Sequence, residues 1–256
     1  MPTLHFQGEV LPAEADISLL DMPRFDCAFD SGRWLKISLE LRQSNVRISV
    51  EAEAYSREDL APIHRQSLGI VQGAVDLVAF SQGVGLTVVL RTVTEPDGNT
   101  LPLLFQVKSL APICDSFSLS QGFDEMMRLV SRNFVLATLL NDLVVTLTKP
   151  RASAINCCRV VDGIKKLICP NMKEGTQRWK AVHDALRVES KYLRFITDRA
   201  REPRHGNPLY NCPDDAEMQR RCWTIMNRFL EYLKRGQGPL PLPDFPILTD
   251  EPAEQR

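Results

Sequence analysis

Between Trp34 and Arg42 the chain alternates without a slip. Leu35, Ile37, Leu39 and Leu41 point one way, and Lys36, Ser38 and Glu40 the other. Val46–Ala54 repeats this with Val46, Ile48, Val50 and Ala52 inward, and Gln43-Ser44-Asn45 joins the two as a hairpin. From Glu58 the period changes to helical, and Leu60, Ile63, Ser67, Val71, Val75 and Val78 share a face. Gly83-Val84-Gly85 closes that helix and opens a strand over Leu86–Thr94. The turn Glu95-Pro96-Asp97-Gly98-Asn99 returns the chain through Leu103–Lys108. Strands divided by one helix predict a small antiparallel sheet with a helix on its face, an α+β domain over residues 1–120.

After Ser118-Leu119-Ser120 only helical periods remain. The pattern predicts one long helix over Gly122–Thr148, then Ala152–Ile168, Gly175–Leu186, Glu189–Arg201 and Asp214–Arg235. The last has an apolar stripe of Met218, Cys222, Ile225, Met226, Phe229, Leu230 and Leu233. Asp214, Asp215 and Glu217 at its start and Lys234 and Arg235 at its end suit its dipole. Five helices with short connections predict an all-α bundle over 121–237. A proline-rich tail, 238–256, follows; it suits a proline-binding module, or lies back on the bundle through Phe245, Ile247 and Leu248, with the last residues loose. The chain has no internal repeat.

The helix over Glu189–Arg201 carries the candidate chemistry. Val188, Tyr192, Phe195 and Ile196 recur at helical spacing, and Arg199 falls next in that series. Arg199 is therefore expected on the buried face, with Arg194, Asp198 and Arg201 elsewhere. Pro203 disfavours helix at Glu202, so the helix should stop near Arg201 and leave His205 just beyond, within reach of Arg199. An inward arginine beside a histidine suits acid-base chemistry on a phosphate ester. The bland alternative is a well-capped end, because helix C-termini favour cations and a following glycine, here Gly206.

Charge and composition narrow the classes. Net charge is −1 overall, yet residues 1–120 hold nine Lys/Arg against fifteen Asp/Glu, and 121–237 hold twenty-one against thirteen. A basic C-terminal half suits a nucleic-acid binder, or merely docks on an acidic N-terminal half. The seven cysteines are an odd number without a CxxC pair, and the four histidines are not at ligand spacing, so no structural zinc is expected. Reduced thiols imply a cytoplasmic protein. The N-terminus lacks the pattern of a secretory signal. The apolar stretch Phe134–Leu147 is too short to span a bilayer and is broken by Asn141 and Asp142, so a soluble protein is expected. Gly83-x-Gly85 is not a phosphate loop, since a helix precedes it and a strand follows. His64, near the edge of an apolar helix face, reads as a packing or surface residue.

Residues 122–236, a run of helices with Arg199-x5-His205 at the end of one and Gly206-Asn207-Pro208 after it, resemble a HEPN domain (the higher-eukaryote and prokaryote nucleotide-binding superfamily). The resemblance implies a helical bundle acting as a homodimer, the motifs of both copies lining one cleft. It implies a metal-independent endoribonuclease that needs no cofactor, in a bacterial defence or toxin-type role. Arg199 and His205 would be catalytic, and RNA cleavage would leave a 2′,3′-cyclic phosphate and a 5′-hydroxyl. Arg201, Arg204 and Lys191 would hold the RNA backbone, with Arg159 of a neighbouring helix also a candidate. Where active members often carry Asn, Asp or His after the motif arginine, this chain has Ala200. That departure favours the alternative, an inactive HEPN-like dimerisation or ligand-binding module. A further resemblance is to accessory proteins of metabolic operons of the methylamine-utilisation type.

Overall fold

The structure, a computed structural model, describes residues 1–250 apart from 20, 21, 30, 31, 104–108, 115–120, 150, 151, 174, 208–211 and 213. The chain divides into two compact units, Met1–Leu104 and Phe105–Arg256.

The first unit is built on six strands: β1 (Thr3–Leu11), β2 (Phe25–Ala28), β3 (Trp34–Arg42), β4 (Asn45–Ala52), β5 (Thr87–Thr94) and β6 (Thr100–Pro102). They form one sheet in the order β2-β3-β4-β1-β5-β6, with every pairing antiparallel. The alternation in β3 and β4 has its expected consequence: Leu35, Ile37, Leu39 and Leu41 and Val46, Ile48, Val50 and Ala52 are all buried. Gln43 and Ser44 make the hairpin turn with left-handed φ angles of 47° and 61°. The helix α1 (Leu60–Gln82) lies on the sheet through Ile63, Ser67, Val71 and Val75 and ends at Gly83, whose φ of 66° closes it. The turn at Glu95–Asn99 is present, with the Gly98 N–H donating to the Glu95 carbonyl at 2.9 Å. Most of the strand expected over Leu103–Lys108 lies outside the described residues.

Strands β1 and β2 have no counterpart in the sequence reading, although β1 runs up the middle of the sheet. Its inward series Leu4, Phe6 and Val10 is interrupted at Gly8, where the pairing with β5 shifts register. A Cβ there would lie 2.1 Å from the Val89 carbonyl oxygen, so only glycine lets the two backbones approach.

His64 is buried, 6 % exposed, with its ring 5.9 Å from that of Phe6. Burial, helped by the nearby Arg65 charge, pushes its pKa from 6.5 down to about 4. Between those values the unfolded chain holds a proton that the folded chain does not. Stability is therefore full above pH 6.5, declines as pH falls, and stops declining below about 4. The whole loss is at most about 3 kcal/mol. Urea unfolding at pH 7 and pH 5 should show this decline in the wild type and a flatter profile in His64→Phe. Equal slopes in the two proteins would dismiss His64 as the source.

The second unit is helical: α2 (Phe123–Arg132), α3 (Phe134–Thr148), α4 (Ser153–Ile168), α5 (Thr176–Leu186), α6 (Ser190–Arg199), α7 (Arg201–Arg204) and α8 (Asp215–Lys234). The long helix expected over Gly122–Thr148 is instead two, bent by 111°. Asn133 causes the break: its backbone is extended (φ −131°, ψ 90°) and its side-chain oxygen accepts the Leu136 N–H at 3.1 Å, capping α3. The helix α4 is the central one, with Cys157, Cys158, Val160, Val161 and Ile164 buried. Gly163 lets α3 come close, since a Cβ there would meet the Leu139 side chain at 2.3 Å. On α8, Met218, Cys222, Ile225, Met226, Phe229 and Leu230 are buried as the stripe requires. No single helix among the described residues is long and apolar enough to cross a membrane.

The tail residues Leu240 to Asp250 lie along the bundle. Leu240 is buried, and its N–H donates to the Ala185 carbonyl at 3.0 Å. Leu248 bridges Val188 in parallel, and Phe245 is partly buried against the core, whereas Ile247 is exposed. Residues 251–256, expected to be loose, lie outside the described residues.

Candidate functional site

The site is built where α6 gives way to α7. Tyr192, Leu193 and Ile196 bury one face of α6, and Ala200, fully buried, sits at the junction. The motif helix ends at Arg199, close to the stop expected near Arg201, but the chain then carries helical geometry past Pro203. It breaks at Ala200 and starts a new single turn, with Arg204 N–H donating to the Ala200 carbonyl at 3.1 Å. The break resets the count, so Pro203 occupies the first turn of α7, where a missing N–H costs nothing. The His205 N–H donates to the carbonyls of Arg201 and Glu202, both at 3.1 Å, and Gly206 ends the turn at a φ of 84°.

Arg199 is half-buried, its side chain 24 % exposed, rather than enclosed. Three groups hold it. Its Nε donates to Asp214 Oδ2 at 3.2 Å and its Nη2 bonds the same oxygen more closely. Its Nη1 donates to the Phe195 carbonyl one turn back at 3.1 Å. Its guanidinium also lies over the Phe195 ring, Cζ at 3.3 Å from the centroid. A guanidinium has five N–H donors. Among the described residues three are committed, which leaves one on Nη1 and one on Nη2.

His205 is exposed, and its ring makes no hydrogen bond or ion pair within the described residues. Arg201 is likewise exposed at the start of α7. Arg204 turns towards α4, where Nη2 donates to Asp162 Oδ2 at 2.9 Å, and that bond raises its pKa. Asp162 also takes Lys165 Nζ at 3.2 Å, and Lys165 lies 4.3 Å over the Trp179 ring. Asp162 thus fixes α7 to α4. Lys191 is exposed but begins α6, eight residues before Arg199, about 12 Å away along the axis. Arg159 is tied to Asp142 of α3 at 3.1 Å.

The motif region therefore brings Arg199, Arg201, Arg204 and His205 to adjoining turns and leaves Lys191 at the other end of α6. Sequence reasoning missed Asp214, Asp162 and Phe195 as partners. Asp214 was legible only as an acidic residue opening α8, and nothing local tied Asp162 to Arg204, 42 positions on.

No cysteine is in a disulfide. Burial raises the Cys158 thiol to about 11, with the Asp162 charge adding to it. Cys222, fully buried, donates to the Cys157 carbonyl at 3.6 Å and packs as a small core residue. Among the described residues no group of three or more His, Cys, Asp or Glu side chains is placed to hold a metal ion.

Residues 4–104 match the family model described as the N-terminal domain of the domain of unknown function DUF8168, and residues 123–234 match the C-terminal domain of the same family. The first match covers the strands and α1, and the second covers α2 to α8. No curated protein and no solved structure matches the chain.

Proposed function

We propose that the helical unit is a HEPN-like domain that cleaves RNA at Arg199 and His205 without needing a metal ion. The observation that carries this reading is the state of Arg199: oriented by Asp214, the Phe195 carbonyl and the Phe195 ring, it keeps two terminal N–H groups for a ligand. That pair of donors suits two oxygens of one phosphate. Beyond α7, His205 is exposed and makes no side-chain contact among the described residues, as suits a proton carrier that must meet a substrate. Its imidazole would take the proton from a ribose 2′-hydroxyl or give one to the departing 5′-oxygen. The 2′-oxygen would attack phosphorus and the bond to the 5′-oxygen would break, giving a 2′,3′-cyclic phosphate and a 5′-hydroxyl. Arg199 would stabilise the charge that grows on the phosphoryl oxygens. Arg201 would contact the RNA backbone without reading sequence. Incubating the purified protein with total RNA plus EDTA tests the reading, and intact RNA after prolonged incubation would end it.

A second copy of the chain would complete the cleft, so that two motifs meet across a two-fold axis. Light scattering at working concentration should then report a dimer. A monomer that still cleaves RNA would remove the composite site while leaving the chemistry.

Two observations favour a second reading, an inactive bundle used for dimerisation or ligand binding. The Asp214 carboxylate offsets the Arg199 charge in the free protein. Ala200, buried in the core, also brings no polar side chain to the site.

A further inference from the structure

The Phe195 ring has a second cation on it. Arg221 Cζ lies 3.9 Å from the same centroid over which Arg199 Cζ lies at 3.3 Å. Two guanidinium groups at those heights would overlap on one face, so they take opposite faces and the ring is clamped between them. Arg221 itself is almost enclosed, its side chain 4 % exposed, and it also stacks 4.8 Å over the Tyr192 ring. Its Nε donates to Glu217 Oε1 at 2.7 Å. Its Nη1 and Nη2 donate to the Asp250 carboxylate at 2.6 Å and the Asp250 carbonyl at 3.3 Å. Asp250 ends the strap that runs along the bundle from Leu240, held by Arg187 and Leu248 backbone pairing at 2.9 Å and by Arg228 on the Pro246 carbonyl at 2.7 Å.

We propose that Arg221 is a positioning residue for Arg199, acting through the Phe195 ring, and that the C-terminal strap sets its hold through Asp250. The proposal deepens the reading of Arg199 as the phosphate-binding group and depends on it for its functional consequence. A guanidinium stacked on a ring has its plane fixed by that ring, and its free N–H edge points where the plane directs it. The ring packs against the bundle core, and Arg221 backs the face opposite Arg199. Asp250 and Glu217 together neutralise and orient that cation, and Asp250 links it to the strap, so Asp250, Arg221, Phe195 and Arg199 form one series of contacts from the strap to the motif. Simple anchoring of the tail would explain Asp250 on Arg221, but it requires no ring between two arginines.

The test uses the full-length protein and three variants: Asp250→Asn, which weakens the clasp while keeping its shape, Phe195→Leu, which keeps apolar bulk without a ring face, and Phe195→Tyr, which keeps the face. Water exchange of the Arg199 Nε–H is read by nitrogen-15 NMR, the resonance being assigned by its loss in Arg199→Lys. Exchange should quicken about tenfold in Asp250→Asn and Phe195→Leu and stay near wild type in Phe195→Tyr. RNA cleavage should lose about tenfold in kcat in the first two, with KM changed by less than about twofold. Unchanged Arg199 exchange in both Asp250→Asn and Phe195→Leu would overturn the positioning role. A wild type inert towards RNA would remove the nuclease reading instead, and the resonance would still decide whether the strap holds Arg199.

Discussion

His205→Ala is expected to lose nearly all EDTA-resistant cleavage of RNA, and Arg199→Ala the same. The first removes the group that carries the proton, a contribution of about 10²–10⁴-fold in rate. The second removes charge stabilisation of the transition state, worth about 10²–10³-fold for one donor group in comparable sites. It also leaves the Asp214 carboxylate without its partner at the place where a phosphate would sit, so the two losses should be of similar size. Arg199→Lys keeps a charge but not the fork or the guanidinium over the Phe195 ring and should recover little. Arg201→Ala, with its side chain in solvent at the start of α7, should spare turnover. It should weaken binding and shallow the salt dependence by about one ion. Denaturing gels of total RNA with each variant and EDTA settle the matter. If wild type and His205→Ala leave RNA equally intact, or cut it equally, the nuclease reading is dead and the inactive-bundle reading takes its place.

The largest effect on stability is expected from Arg228→Ala. Arg228 is buried on α8 and gathers three backbone carbonyls: Leu186 at 2.9 Å and Arg187 at 2.7 Å through Nη1, and Pro246 at 2.7 Å through Nη2. Those carbonyls belong to the end of α5, the turn into α6, and the strap. At the turn, Arg187 is left-handed with a φ of 52°, so its neighbours cannot pair along a helix. Removing the guanidinium takes the donor from the Leu186 and Pro246 carbonyls, in a place water reaches poorly, and leaves the Arg187 carbonyl with the Leu248 N–H alone. Together with the lost contact to the Phe245 ring, the cost should be about 3–5 kcal/mol. Arg228→Lys should rescue only part, because a single ammonium cannot span three carbonyls on two segments. Arg235→Ala, whose own side chain is exposed and which pairs with Glu231 of α8 and the exposed Asp244 of the strap, should matter far less. Urea unfolding followed by the midpoint at constant slope reads all three. A loss under about 1 kcal/mol in Arg228→Ala would mean that water replaces the guanidinium.

What was legible in the chain is what backbone geometry makes periodic. The inward residues of β3 and β4 repeat every two positions, and those of α1 and α8 every three or four, because pleat and helix impose those intervals. Arg199 was placed beside the core by the same count, and the structure finds it half-buried on Phe195, four residues back on α6. Features that depend on a single residue's competing preference were not legible. Asn133 looked like a polar residue within a helix until its side chain was seen capping α3. Pro203 looked like a stop because its place in a first turn depends on the break at Ala200, and that break has no local signature. The role of β1 in the middle of the sheet depends on pairing with β4 and β5, whose paired residues lie at least 36 positions away. The environment of the motif was decided last of all. Asp214 on Arg199, Asp162 on Arg204 and Arg221 behind Phe195 are meetings across 15, 42 and 26 positions. A charge selects its partner by distance in the folded chain, and sequence spacing carries no record of that distance.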